Sequence, residues 1–165
     1  MLSAPLWWPE EMHLLAAQPG GIADGGEAVD LGQSPGDIVF ASAADTELAC
    51  FSRAQVSLGG KAPSLRLANL MNLSHNLSVD NWLEATVSGA RLVIVRVLGG
   101  ESYWPYGVER LTQLCRDKNI ALALLPGDDK PDSELAWRAT LPQEACERLW
   151  RYCIHGGLEN AGECL

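Results

Sequence analysis

Short apolar runs recur along the chain, each closed by glycine, proline or small polar residues. "MHLLAAQ" at Met12–Gln18 stops at Pro19-Gly20-Gly21 and predicts a first strand. The glycine-rich "GGIADGGEAVDLGQSPG" then reads as a long polar turn region. "DIVFASAAD" predicts a second strand, and Asp45 at its end is placed to cap a helix over "TELACFSRAQ". "SLGGKAP" breaks the chain, and "SLRLANLMNL" predicts a strand running into a loop.

Ser78 next predicts the cap of a helix over "VDNWLEATVSGA" that ends at Gly89. Val79, Trp82, Leu83, Thr86 and Val87 are spaced by three and four along it and share one face. "RLVIVRVLGG" is almost wholly apolar and β-branched, the pattern of a strand buried on both faces in a parallel sheet. A helix follows from near Tyr106 to Lys118, with Val108, Leu111, Leu114 and Cys115 inward. "IALALLPGDD" predicts another buried strand, and Ser133–Arg138 a short helix. Pro142 is expected in the first turn of a last long helix, which runs to about Ile154 and stops at His155-Gly156-Gly157.

Strand–helix alternation of this kind implies βαβ units with right-handed crossovers. The expected fold is α/β: an open, mostly parallel sheet of about five strands with helices on both faces, flavodoxin- or Rossmann-like. Residues 1–11 read as an N-terminal extension and 12–157 as the α/β domain. Residues 158–165, with "ENAGECL", read as the opening of a truncated following segment. The expected C-terminal strand ends carry Ala43-Ala44-Asp45, Gly99-Gly100 and Gly127-Asp128-Asp129. In open α/β sheets, ligands and partners gather at that edge.

A length of 165 residues suits one domain with a sizeable core, and 47% hydrophobic with 20% charged residues is a globular composition. The net charge of −9 argues against a nucleic-acid partner, which would need a basic face. No apolar run is long enough to span a membrane, and "MLSAPLWWPEE" lacks the basic start of a signal peptide, so a cytoplasmic protein is expected. The five cysteines are odd in number and none is in C-x-x-C spacing, which disfavours a metal cluster or a disulfide framework. Three of them fall on apolar helix faces, where a reduced thiol acts as a small hydrophobe.

Motifs that would commit the chain to an enzymatic mechanism are lacking. Neither G-x-G-x-x-G nor a P-loop occurs, and Gly59-Gly60-Lys61 is followed by Ala62 where a magnesium-binding hydroxyl would stand. There is no G-x-S-x-G elbow. Asp128 and Asp129 could hold a hard cation or act as acid and base, but Pro-Gly-Asp-Asp is also ordinary turn chemistry. His13, His75 and His155 are far apart; His75 lies in a loop before a helix, where it can face a ligand or bond the backbone.

The most informative stretch is "VRVLGGESYWPYGVERL". Gly99 and Gly100 end the apolar strand, and Tyr103, Trp104 and Tyr106 follow at the functional edge. Three readings are open: core over the next helix, an interface, or a stacking face for a flat ligand.

Several stretches carry a family resemblance. They are "EAVDLGQSPGDIVFASAADTELA", "SLRLANLMNLSHNLSVDNWLEAT", "ARLVIVRVLGGESYWPYGVERL", "IALALLPGDDKPD" and "LPQEACERLWRYCIHGGLENA". In this order they resemble the N-terminal region of the large subunit of aerobic cobaltochelatase, the CobN type, a family related to the magnesium chelatase large subunit. The resemblance runs from about Met12 to the C-terminus; residues 1–11 have no counterpart in it. It implies an opening domain of a much longer subunit that binds hydrogenobyrinic acid a,c-diamide and inserts cobalt during cobalamin biosynthesis. ATP would be hydrolysed by separate AAA+-type partner subunits, in keeping with the lack of a P-loop here. The resemblance assigns no catalytic or metal residues within these positions. Candidate ligand or interface residues are Gly99, Gly100, Tyr103, Trp104, Tyr106, His75, Asp128 and Asp129, with no cofactor held by this domain itself. A stand-alone binding module for a tetrapyrrole-like ligand is the alternative.

Overall fold

A computed structural model describes residues 26–165. Residues 1–11, His13 and the strand expected at Met12–Gln18 lie outside them. Four strands are present among the described residues: β1 Ile38–Ser42, β2 Leu65–Asn69, β3 Leu92–Val97 and β4 Ala121–Pro126. Their order is β2-β1-β3-β4, and every pairing is parallel, with Ile38 opposite both Leu65 and Leu92, and Leu92 opposite Ala121. The order reverses around β1: the chain leaves β1 for one edge and returns across it to β3. That is the switch point where doubly wound sheets place their ligands.

Among the described residues six α-helices are present: α1 Asp45–Leu58, α2 Asn76–Ala85, α3 Pro105–Lys118, α4 Ser133–Arg138, α5 Gln143–His155 and α6 Gly157–Cys164. Because side chains alternate along a strand, each strand supplies both layers. Val39, Ala41, Val93, Val95 and Leu122 face α2 and α3, where Val79, Trp82, Val108 and Leu111 close one core. Ile38, Phe40, Ile94 and Leu125 face the other way, against Phe51 and Ala54 of α1, Cys146 of α5 and Ala161 of α6. Phe40 and Phe51 stack with ring centroids 3.8 Å apart. Residues 158–165, expected to open a further segment, form most of α6, which packs on α1.

Three helix starts differ from expectation. Asp45 is the first helical residue of α1 and not its cap, which is Ala44; its carboxylate accepts from Asn69 Nδ2 at 2.7 Å instead. Ser78 lies inside α2, buried, and its hydroxyl accepts from the Val29 N–H at 2.7 Å. That bond pins the entering chain to α2, which a purely helical reading of the sequence has no means to foresee. Pro142 is the residue before the first turn of α5, where its missing N–H costs nothing.

Candidate functional site

The aromatic loop is built at the end of β3. Gly99 and Gly100 adopt φ 82° and 77°, the left-handed region that glycine enters without steric cost. A Cβ on Gly100 would also stand 2.8 Å from Asp132 Oδ2. A single helical turn over Glu101–Tyr103 then leads to Trp104, which precedes α3 with Pro105 at its first position. Glu101 pairs with Arg138 of α4 through both carboxylate oxygens, 2.7 Å at Arg138 Nε, and so ties the loop to the neighbouring layer.

Trp104 is 3% exposed. Its Nε1 donates to the Leu73 carbonyl at 2.9 Å, and its ring meets Trp82 at a centroid distance of 6.3 Å and a 56° tilt. The indole therefore welds the loop after β3 to the loop before α2, and its faces are turned to protein. Tyr106 is half-buried beside it, and its hydroxyl donates to Asp80 Oδ2 of α2 at 2.8 Å. Arg110 Nε donates to the other oxygen of Asp80 at 3.0 Å. The hydrogen bond to Asp80, and then burial, push the Tyr106 phenol above its ordinary range. Trp104 and Tyr106 are thus spent on joining α3 to α2.

Tyr103 behaves differently. It leans on the outside of the core, with its hydroxyl 3.6 Å from Met71 Sδ. Met71 is 54% exposed and Leu98, at the end of β3, is 50% exposed. Tyr103, Met71 and Leu98 leave an apolar rim at the C-terminal edge of the sheet. His75 stands in the same corner, two residues past the Leu73 carbonyl that holds Trp104. It caps α2, its Nδ1 accepting from the Leu77 N–H at 3.1 Å.

Asp128 and Asp129 lie apart from this corner, beyond β4, and both are exposed. Asp128 Oδ1 accepts from the Lys130 N–H at 3.1 Å, the self-bonded turn that its sequence context favours. Its carbonyl accepts from Trp150 Nε1 of α5 at 3.0 Å. Among the described residues no group of three or more His, Cys, Asp or Glu side chains is placed to hold a metal ion.

Two features escaped sequence reasoning. A cleft of about 480 Å³ opens between β4, α4 and α5, with Trp137 and Trp150 on its walls. Trp137 is 82% exposed, although "ELAWR" reads as an ordinary short helix. The second is a buried charge under α1. Arg96 of β3 is 5% exposed, pairs with Glu47 Oε1 at 3.2 Å and donates to the Gly127 carbonyl at 2.7 Å. Glu47 in turn accepts from Ser42 Oγ at 2.6 Å. The available signal was the single arginine inside the apolar run "LVIVRVL".

The strand order, the loop after β3 and the edge cluster define a doubly wound α/β domain, the class of sheet that places ligands at its C-terminal end. By sequence the chain is homologous to part of the aerobic cobaltochelatase subunit CobN. It is 50% identical over 92% of its length to that subunit from Sinorhizobium sp. and 43% identical over 92% to the one from Pseudomonas aeruginosa. In each case it spans about 12% of the relative's own length. A catalytic subunit of cobaltochelatase from Mycobacterium tuberculosis shares the fold, with a TM-score of 0.62 at 24% identity over 80% of this chain and 10% of that one. No protein-family model matches the chain. No helix among the described residues is long and apolar enough to cross a membrane.

Proposed function

We propose that this chain acts as the N-terminal α/β domain of an aerobic cobaltochelatase large subunit. That subunit would insert cobalt into hydrogenobyrinic acid a,c-diamide in the cytoplasm, with ATP hydrolysed by separate partner subunits. In this reading residues 1–11 are an extension and the domain begins at residue 12 and includes α6, whose Ala161 and Cys164 close the second core. The observation that carries the reading is the 50% identity across nearly the whole chain to a protein about eight times as long. It is supported by the rim of Tyr103, Met71 and Leu98, an apolar edge suited to packing against the rest of such a subunit. Cobalt is the cargo of the reaction, and this domain's role is to shape and support the site. Gly99 and Gly100 set the turn, Trp104, Tyr106 and His75 hold its frame, and Tyr103 faces outward.

The alternative, a free-standing module stacking a flat ligand, loses its best platform because Trp104 faces the core. Cobalt insertion is the test, measured by absorbance of the corrinoid with ATP and the partner subunits present. A full-length homologous large subunit should turn over, the same subunit lacking the segment matching residues 26–165 should not, and the 165-residue chain alone should be silent. Unimpaired turnover without the segment would overturn the proposal.

A further inference from the structure

β4 is an edge strand, and its bonding leaves part of its outer side unanswered. In a parallel ladder, alternate residues turn both their N–H and C=O to the same neighbour. The Ala121 N–H donates to the Arg91 carbonyl at 3.2 Å and the Gly127 N–H to the Val97 carbonyl at 3.0 Å, so Ala121, Ala123 and Leu125 serve β3. Leu122, Leu124 and Pro126 therefore turn outward. Leu122 is satisfied there: its N–H donates to Thr140 Oγ1 at 2.7 Å, and its carbonyl accepts from the Thr140 and Leu141 N–H groups at 2.9 and 3.1 Å. That cover stops short of Leu124. Among the described residues nothing takes up the outward N–H and C=O of Leu124 or the carbonyl of Pro126. Leu124 is 2% exposed, and a buried main-chain pair without partners is a cost that native folds rarely leave standing. On the opposite edge, the outward carbonyls of Leu65 and Leu67 are taken by Arg66 Nη1 at 3.0 Å and Gln33 Nε2 at 2.7 Å.

The space beside Leu124 has the form of a slot for a strand. α4 puts Leu135 into the first core and α5 puts Cys146 into the second, so the two helices flank the edge of the sheet from opposite faces. The cleft of about 480 Å³ lies between them, lined by Leu124 and Pro126 of β4 and walled by Trp137 and Trp150. Trp150 is fixed by its bond to the Asp128 carbonyl, whereas Trp137 stands almost wholly in solvent. The surroundings are acidic. Asp132 and Glu147 line the cleft against Arg151, and Asp128 and Asp129 stand against Lys130 in the exposed turn between Pro126 and Pro131.

We propose that this slot docks an extended peptide segment of a partner protein, apolar in its middle and basic at its ends, which adds to β4 as a further strand. The peptide backbone supplies the carbonyl and N–H that Leu124 lacks, and a second N–H for the Pro126 carbonyl, the mode of recognition open to an exposed sheet edge. An aromatic or branched side chain rests on Trp137 and Trp150, and lysine or arginine meets the acidic surroundings. A compact apolar ligand could fill the same volume but would leave Leu124 unanswered. The inference is independent of any role in metal insertion.

The test is titration of the isotope-labelled chain with the end-blocked peptide lysine–valine–phenylalanine–valine–lysine, followed by amide NMR. The Leu124 amide should shift to saturation while those of Leu65 and Leu67, on the other edge, stay in place. Methylating the backbone nitrogens of the peptide should weaken binding about tenfold or more, because it removes the donors. Exchanging its lysines for glutamates should weaken it several-fold at low salt and less at high salt. Trp137→Ala, at an exposed position that the fold does not need, should weaken it about tenfold. No saturable shift, a shift confined to α4 and α5 that spares Leu124, or undiminished binding of the methylated peptide would overturn the proposal. So would a Leu124 signal that moves with chain concentration alone, which would put a second copy in the slot. A Leu124 amide with the small temperature coefficient of a hydrogen-bonded group in the peptide-free monomer would put residues 1–25 there, and would overturn it too.

Discussion

The indole of Trp104 lies on the bare backbone of Gly107, so closely that a Cβ there would be 1.9 Å from Trp104 Cε2. Gly107 is inside the first turns of α3, where glycine ordinarily weakens a helix by about 1 kcal/mol. The loss is accepted here because no other residue lets the ring down onto the helix. Gly107→Ala therefore should not stabilise α3. It should cost about 1–3 kcal/mol through displacement of Trp104, read as a fall in the urea midpoint. A midpoint equal to or above that of the unaltered chain would contradict the contact.

Trp104 itself supplies volume and a hydrogen bond to the Leu73 carbonyl. Trp104→Phe retains much of the apolar surface but leaves that carbonyl without its donor, a loss of about 1–3 kcal/mol. Trp104→Ala adds a cavity and should cost about 3–5 kcal/mol. If the indole served a ligand instead, both variants would fold as stably as the parent and fail only in binding.

Tyr106 and Asp80 give the α2–α3 seam a pH dependence. The neutral phenol donates to the carboxylate, whereas a phenolate would repel it, so the folded pKa lies above the ordinary value of 10.0. The bond's contribution is complete below that ordinary value and disappears as pH rises through the raised one. The stability difference between the parent and Tyr106→Phe should be positive at neutral pH and shrink above about pH 10. Chemical denaturation of both proteins across that range checks it, and a difference that grows with pH would reverse the assignment.

Cys115 contrasts with Cys50, Cys153 and Cys164, which line a cavity open to solvent. Burial alone pushes it up to about 12, and it packs in the α3 layer of the first core. A thiol so placed should alkylate only when the domain opens, at a rate that tracks the global unfolding free energy in increasing urea. Labelling of Cys115 in the native protein as fast as Cys50 would show the α3 layer to be looser than this packing implies.

Much of the architecture is legible in the sequence because burial leaves a strong periodic trace. "RLVIVRVL" and "IALALL" read as strands buried on both faces, which β3 is at the sheet's centre and β4 is at its edge under α4 and α5, and the face built from Val79, Trp82 and Leu83 is what α2 presents to the core. The caps are not legible, because Ser78 and His75 are both competent and the choice depends on Val29, far off in sequence, claiming the Ser78 hydroxyl. The aromatic loop shows the same limit. Spacing places Tyr103, Trp104 and Tyr106 at one edge, but only the Leu73 carbonyl and the Asp80 carboxylate determine which rings turn inward. The pairing of Arg96 with Glu47, and the gathering of Glu47, Cys153 and Cys164 around one cavity, are likewise products of the β1–β3 pairing and the return of α6, neither of which has a local signature.

Arg96 and Glu47 permit a quantitative check on that buried network. Removing one partner of a fully buried pair costs about 3–5 kcal/mol, because an uncompensated charge is left behind. Glu47 is 23% exposed, so water can reach part of its side, and Glu47→Gln should fall below about 3 kcal/mol. Arg96→Met removes the charge that has two nitrogens without acceptors, and leaves Glu47 still bonded to Ser42. Its cost should be the smaller of the two. The double variant should be less destabilised than the sum of the single ones by more than about 0.5 kcal/mol, the signature of coupling. Strict additivity in urea titrations would mean that the two side chains, although 3.2 Å apart, do not depend on one another for stability.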